Sequence, residues 1–379
     1  MGKVVKLGLH PEKFERPLQF DIFESRDTRV TNTIAIWDVA PRCVFRKQAE
    51  FRDGQYLKTI EREFVYGNQL YRLTLYPARF KRGGKAVEEY PGEMEQLVEE
   101  VIRKLAVKGN RLDYNSKNEV GITFKVFDVR KELERTNHRV SHNDVVEALH
   151  VLHKSVVEIQ RVDTTPEGET IVKVASGSAF PQLRLAEKGA EDTSITVQFN
   201  WMVSEALMRL DFRQIDYETV MSMKGPIERW LYKKITHDIL YHGGDLLIHE
   251  VKASEIVEGC GITIRSRQRD TLRRIPDAVE ALKAHGVIDE YVATDIKDGR
   301  KKVDIDYKLI ASKSFIVQIT AAMHRNIEDR RAFQAIAGEE PSADKIIPSD
   351  RVKRIRLERI RAESANGAET LSLPLPDPT

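Results

Sequence analysis

Between Arg265 and Arg274 the chain places five arginines, Arg265, Arg267, Arg269, Arg273 and Arg274, against one acid, Asp270, with Ser266 among them. A guanidinium can fork onto O6 and N7 of a guanine or bind phosphate, and only the base contact carries sequence information. Most charge runs are solvated helix faces, but five cations against one acid favour contact with a polyanion. Arg300, Lys301 and Lys302 form a second cluster just after the turn signal Asp298-Gly299. A third group, Arg139, Ser141, His142 and Asn143, is less basic and offers mainly hydrogen-bond donors. Arg79, Lys81, Arg82 and Lys85 surround a Gly83-Gly84 turn and are suited to gripping a phosphate backbone.

Covalent chemistry finds no comparable support. The chain contains no GxxxxGK phosphate loop, HExxH, CxxC or GxSxG elbow. His150-Val-Leu-His153 with Tyr232 would suggest a nicking nuclease, yet two apolar residues separate the histidines where that motif has one. No catalytic residue, cofactor or metal site is expected. Cys43 and Cys260 are too few for a cage or a disulfide framework and fit a reducing compartment. In all, 61 Lys and Arg face 59 Asp and Glu over 379 residues, which excludes a uniformly basic protein. Nothing resembles a membrane span or a signal peptide, so a cytoplasmic location is expected.

Along the chain, residues 1–44 lack sustained periodicity, carry Pro11, Pro17 and Pro41, and read as a flexible arm. Pro91 opens a helix with Met94, Leu97, Val101 and Leu105 at spacings of 3, 4 and 4. Ile122, Phe124 and Val126 alternate as a strand, and a short helix follows from Asp128 to Arg135. Ser141 stands three residues before Asp144, a capping-box arrangement, and starts a longer helix along Val145, Leu149 and Leu152. The strands around Val157 and Ile171 then form a hairpin turning at Thr165-Pro166-Glu167-Gly168. Helix, turn, helix and trailing hairpin describe a winged helix.

The order recurs. A helix starts at Pro226, a short strand ends at Ile248, a short helix spans Ala253 to Glu258, and a longer stretch runs from Arg267 to Ala284. Pro276 either kinks this stretch or restarts it, the second case putting the arginines nearer phosphate than bases. Val303, Ile305, Tyr307 and Leu309 then alternate strictly. The string Val-Glu-Ala-Leu occupies 146–149 and 279–282, an offset of 133 residues that supports duplication. Phe315 to Phe333 reads as a helix packing on the second unit, and Ser349 or Asp350 caps a basic helix with Arg351, Lys353, Arg354, Arg356, Arg359 and Arg361. The resulting expectation is an α+β chain of two tandem winged-helix domains, 45–215 and 216–334. A flexible arm (1–44) precedes them, and a linker, basic helix and disordered tail (335–379) follow. The first domain is read as a weaker DNA reader that also self-associates, the second as the main reader.

Within the arm, Gln19-Phe20-Asp21-Ile22-Phe23 resembles the pentapeptide that docks bacterial proteins onto the replicative sliding clamp; the alternative is that the same side chains pack the arm on the body. The tandem winged helices, Pro91-Gly92-Glu93 with Leu97-Val98-Glu99 and Arg103-Lys104-Leu105-Ala106, and Arg229-Trp230-Leu231-Tyr232 together resemble plasmid replication initiator (Rep) proteins over roughly residues 45–330. The clamp-like motif adds a similarity to initiators of the TrfA and RepA kind. This resemblance implies a bacterial protein without a catalytic centre that binds direct repeats (iterons) in double-stranded origin DNA and promotes opening of the adjacent duplex. It also implies host sliding clamp, helicase and initiator as partners, and a homodimer in equilibrium with monomer. A winged-helix transcription regulator is the alternative; a rolling-circle nicking enzyme ranks below it.

Overall fold

A computed structural model of the chain describes residues 16–23, 29–45, 56–67, 69–107, 111–114, 119–165, 168–186, 194–238, 248–262 and 272–343. Every described strand pairing is antiparallel, and the strands alternate with helices, which gives the expected α+β class.

The described part of the expected flexible arm is instead packed. Helix α1 (Leu18–Phe23), strand β1 (Val30–Thr33) and helix α2 (Ala35–Val39) bury Leu18, Phe20, Phe23, Ile34, Trp37 and Val39, none more than 6% exposed. Burying each such side chain contributes about 1.5–3 kcal/mol. Pro17 and Pro41 flank the two helices, where a missing N–H breaks no helical bond. They mark element ends rather than loss of structure.

The first unit begins with β2 (Ile60–Tyr66), β3 (Gln69–Tyr76), β4 (Ala78–Arg82) and β5 (Lys85–Glu89). Gly83 and Gly84, both left-handed at φ 56° and 81°, make the tight turn between β4 and β5. Helix α3 (Glu93–Val107) leads through β6 (Leu112–Tyr114) and β7 (Val120–Lys125) into α4 (Val126–Arg135) and α5 (His142–Lys154). The capping box at Ser141 is present as expected, its Oγ accepting from the Asp144 N–H at 3.1 Å. The hairpin β8 (Val156–Thr165) and β9 (Gly168–Gly177) follows, joined to β3 and β2 in the order β2-β3-β8-β9. Then come β10 (Gln182–Ala186), β11 (Ser194–Gln198), α6 (Trp201–Met208), β12 (Arg213–Asp216), which pairs with β1, and α7 (Tyr217–Ser222).

Helix α8 (Pro226–Asp238) opens the second unit. It is followed by β13 (Ile248–Lys252), α9 (Ala253–Gly259), α10 (Arg274–Ala284), β14 (Ile288–Asp298), β15 (Lys301–Ala311) and α11 (Lys313–Ala337). The strands form a sheet in the order β13-β15-β14. Helix α11 reaches beyond the second unit: Phe315 packs on Tyr232, while Asn326 donates to the carbonyls of Leu210 and Phe212. The basic segment and tail expected after residue 348 lie outside the described residues.

The repeat is physical as well as textual. Helices α4 and α9 close with the same pair of bonds: Asn137 and His138 donate to Glu134 and Leu133, Gly261 and Ile262 to Glu258 and Val257. Asn137 (φ 64°) and Gly261 (φ 77°) supply the left-handed residue this C-terminal motif requires. Helices α3 and α8 meet through residues 133 positions apart, Arg229 with Gln96 at 3.2 Å and Lys233 with Glu100. Two in-register contacts one turn apart mean that the helices run parallel there.

A knot of charge fills this junction. Asp38 accepts from Arg103 at 2.6 Å and Thr33 at 2.9 Å, and Lys233 lies 3.4 Å away. Glu99 takes Arg42 at 2.6 Å, Arg103 at 2.7 Å and the Trp37 indole at 2.8 Å. Burial alone would raise the Asp38 carboxyl, but Arg103, Lys233 and Arg42 outweigh it and hold the group far below the usual carboxylate range. Glu99 is likewise lowered, burial being outweighed by Arg42 and Arg103.

Removing one partner leaves an uncompensated buried charge, at a cost of about 3–5 kcal/mol. Lys233→Met therefore destabilises the protein by about that amount in urea titrations, and adding Glu100→Gln recovers part of the loss.

His237 is fully buried beside Thr33, its Nε2 3.2 Å from Oγ1. Burial first and Arg213 second depress its pKa from 6.5 to about 3. The unfolded chain thus takes up a proton that the folded chain refuses, so stability is complete above pH 6.5 and lost as pH falls towards 3. The expected slope from this group is at most about 1.4 kcal/mol per pH unit, and His237→Gln should remove that part between about pH 6.5 and 5.5, above the range where the unfolded chain's carboxylates titrate, leaving the smaller slope of His138 and His150, whose pKa values burial also lowers.

Candidate nucleic-acid interface

In the second unit, β13 delivers the chain to α9, and Gly261 turns it towards α10. A side chain could not occupy position 261, because a Cβ there would lie 2.4 Å from the Cys43 carbonyl. Residues 263–271 lie outside the described residues; after helical Leu272 and a turn at Arg273, helix α10 runs from Arg274, and Pro276 falls in its first turn, where no helical N–H is needed. The restart alternative therefore describes the start of α10. The stretch between the two helices is residues 260–273 in sequence, with Leu272 itself helical, against 136–141 in the first unit. Arg265, Ser266, Arg267 and Arg269 fall within it but lie outside the described residues. Ile275, Ala278, Val279 and Leu282 seat α10 on the core, which leaves Arg273, Asp277, Glu280 and Lys283 exposed; Arg274 is half-buried.

The hairpin tip carries Arg300, Lys301 and Lys302, all exposed as expected. Gly299 at φ 60° allows the tight two-residue turn that packs these cations together. Lys302 is 2.5 Å from Asp295, so part of its charge is neutralised. Exposed Lys297, which pairs with Lys302 across the hairpin, adds a cation that sequence reading passed over.

The first unit presents a plainer surface. The Arg139 side chain is 88% exposed and only loosely associated with Glu134 at 3.9 Å, and Asn143 is exposed. Ser141 and His142 fit the expected role less well, since the Ser141 hydroxyl accepts the Asp144 cap bond and His142 is half-buried. The β4–β5 hairpin lies on α5: Phe80 stacks on His150, and Arg82 pairs with Glu89 and Glu147. Arg79 pairs with Glu88 and sits over the Tyr56 ring. Of the four cations expected to grip a backbone, Lys81 and Lys85 remain at the exposed tip.

Other candidates are displaced by burial. Tyr232 is 1% exposed and its hydroxyl accepts the Asp216 N–H at 3.2 Å, which removes it as a nucleophile for DNA. His153 is bonded to the Phe180 carbonyl at 2.7 Å rather than paired with His150. Burial pushes Cys43 up to about 11 and Cys260 up to about 12, far from reactive thiolates. No group of His, Cys, Asp or Glu among the described residues could hold a metal ion.

The clamp-like pentapeptide follows the packing alternative, not the docking one. Gln19, Phe20 and Phe23 are at most 3% exposed, while Ile22 is half-buried and Asp21 pairs with Arg16. Phe20 packs edge-on against Tyr114, and Phe23 against Phe212. The aromatic side chains that would fill a partner's pocket fill this protein's own core.

Among described residues, no helix is long and apolar enough to cross a membrane. No protein-family model and no curated protein matches the chain. The solved structures that match the chain include the following three. Selenomethionine-labelled domains 2 and 3 of RctB are 8% identical, with a TM-score of 0.43 over 73% of this chain and 96% of that one. A second crystal structure of RctB domains 2-3 is 8% identical, with a TM-score of 0.42 over 76% and 99%. The Pi initiator protein in complex with iteron DNA is 9% identical, with a TM-score of 0.35 over 58% and 95%.

Proposed function

We propose that the chain is a sequence-specific binder of double-stranded DNA with two winged helices, serving as a plasmid replication initiator that binds repeated origin sites and promotes opening of the adjacent duplex. The observation that carries this reading is the twice-built order of capped first helix, second helix and hairpin, with exposed cations at the hairpin tip and second-helix start of unit two. A helix-turn-helix of this kind presents the N-terminal residues of its second helix to base edges, and its hairpin to the neighbouring backbone. Arg273 and the preceding arginine-rich segment are assigned to bases or phosphate, Arg300 and Lys301 to phosphate, and Arg139 and Asn143 to a weaker contact by the first unit. The protein acts by binding rather than by covalent catalysis. Recruitment of host helicase belongs to the same reading; clamp recruitment through residues 19–23 does not, because those side chains are buried.

A nuclease footprint of the full-length protein on DNA flanking its own gene, combined with a probe for unpaired thymines, tests this. Regularly spaced protected repeats beside reactive thymines are expected, and Arg267→Ala with Arg269→Ala should weaken protection by about 1–3 kcal/mol for each base no longer read. One protected inverted site without unpaired thymines would instead make the chain a transcription regulator.

The hairpin assignment has its own readout. Replacing Arg300 and Lys301 with Ala should weaken binding to all sequences alike and reduce the slope of log affinity against log salt by about 0.9 for each phosphate no longer neutralised.

A further inference from the structure

Arg62 has an unusual set of partners. It lies on β2, in the same sheet as the first unit's β8–β9 hairpin, and its guanidinium reaches out of that sheet into the second unit. Nη1 donates to the carbonyls of Pro41 and of Cys43 (2.7 Å), and Nη2 donates to the Gly261 carbonyl at 2.9 Å. Burial depresses its pKa below the usual arginine value. Its hydrogen bonds among the described residues go to backbone carbonyls, so the cation fixes the positions of three peptide groups rather than neutralising an acid.

The third of those peptide groups is critical. Gly261 is the left-handed residue that ends α9, and its direction determines where the chain leaves after Ile262, ahead of the stretch whose sequence carries Arg265, Arg267 and Arg269. The fit is close on both sides, since a Cβ at 261 would also stand 2.6 Å from Arg62 Nη1. Helix α9 packs on β2 beside this contact. A guanidinium presents its donors in a rigid planar fork that fixes the directions of these carbonyls, whereas a lysine ammonium is a point charge on a flexible stem.

We propose that Arg62 is a positioning residue that ties the first unit's sheet to the exit of α9 and thereby sets the phase between the two DNA-contacting ends. The proposal rests on the two-reader function given above. Two linked readers enhance each other's binding only when their geometry matches the spacing of their sites, so a rigid tie makes binding spacing-selective and a loose one does not.

The test uses the full chain and a duplex recovered by the unaltered protein from a random-sequence pool, with base pairs inserted between its two protected blocks. For the unaltered protein, affinity should fall at least about tenfold on inserting about 5 base pairs and partly recover at about 10, one helical turn. Arg62→Met should bind the original spacing about tenfold more weakly and show less than about a threefold penalty for the half-turn insertion. Arg62→Lys should behave in the same direction because the fork is absent. Arg62→Lys, which keeps the charge and most of the stem, also keeps the test decisive should Arg62→Met fail to fold. Variants that lose affinity equally at every spacing while keeping the half-turn penalty would show Arg62 to be simple packing and overturn the proposal. An unaltered protein indifferent to spacing would also overturn it while leaving sequence-specific binding intact. Recovery of no preferred duplex would refute the functional reading, and this inference with it.

Discussion

Six buried charges at one junction hold the two units and the N-terminal segment together. Asp38, Glu99 and Glu100 are balanced by Arg42, Arg103 and Lys233, and none of the six is more than 8% exposed. Isolated charges could not be buried there; paired and hydrogen-bonded ones can, and they tolerate little displacement. Helix α2 shows the consequence. At five residues it is too short to persist alone, yet Asp38 accepts from the Ile34 N–H at its start and Arg103 and Lys233 grip the same carboxylate from α3 and α8. Arg42, leaving that helix, donates to the Trp37 carbonyl and to Glu99. The segment is thereby fixed between both units, and its strand β1 can complete β12.

The same junction shows how a duplicated element has diverged. Equivalent positions on α3 and α8 face each other, and at each the first unit supplies an acceptor and the second a cation: Gln96 opposite Arg229, Glu100 opposite Lys233. An unchanged repeat would place like residues opposite one another, and two buried carboxylates or two buried ammonium groups would repel. An acceptor facing a cation at corresponding positions makes the contact specific for one copy of each unit. The duplication thus yields a fixed pair within the chain.

The sequence revealed elements whose signals are local. Met94, Leu97, Val101 and Leu105 define α3, Ser141 and Asp144 define the start of α5, and the repeated Val-Glu-Ala-Leu string marks the same helix in both units. Elements whose partners are distant in sequence stayed hidden. Strand β1 pairs with residues 180 to 186 positions away, and Thr33 meets His237 at a separation of 204. The burial of charges on α3 and α8 is not legible in sequence because no single helix reveals that a complementary one lies against it; Arg229, for example, is 1% exposed and bonded to Glu93 and Met223. Aromatic spacing in residues 19–23 fits a partner's pocket and this protein's own core equally well, and only the presence of Tyr114 and Phe212 decides between them. The start of α10 was obscured because leucine and arginine on either side of residue 273 are equally compatible with one helix or two.

On the proposed function, the distribution of acids along the second helices limits how either can approach DNA. Asp277 and Glu280 lie on the exposed side of α10, and Asp144 near the start of α5 is exposed. A helix lying lengthwise in the major groove would bring these carboxylates towards phosphates. Each helix also has an acid engaged within the protein: Glu280 accepts from the Tyr291 hydroxyl at 2.7 Å, and Glu147 on α5 is paired with Arg82 at 2.9 Å. Such a surface favours entry by the helix end, where Arg273 stands just before α10 and Arg139 just before α5. End-on entry gives each helix few base contacts, so binding strength must come from the hairpin-tip cations, the arginine-rich connection and the coupling of two modest readers. That coupling depends on how rigidly the units are joined, which returns the energetics of recognition to the buried charges between them.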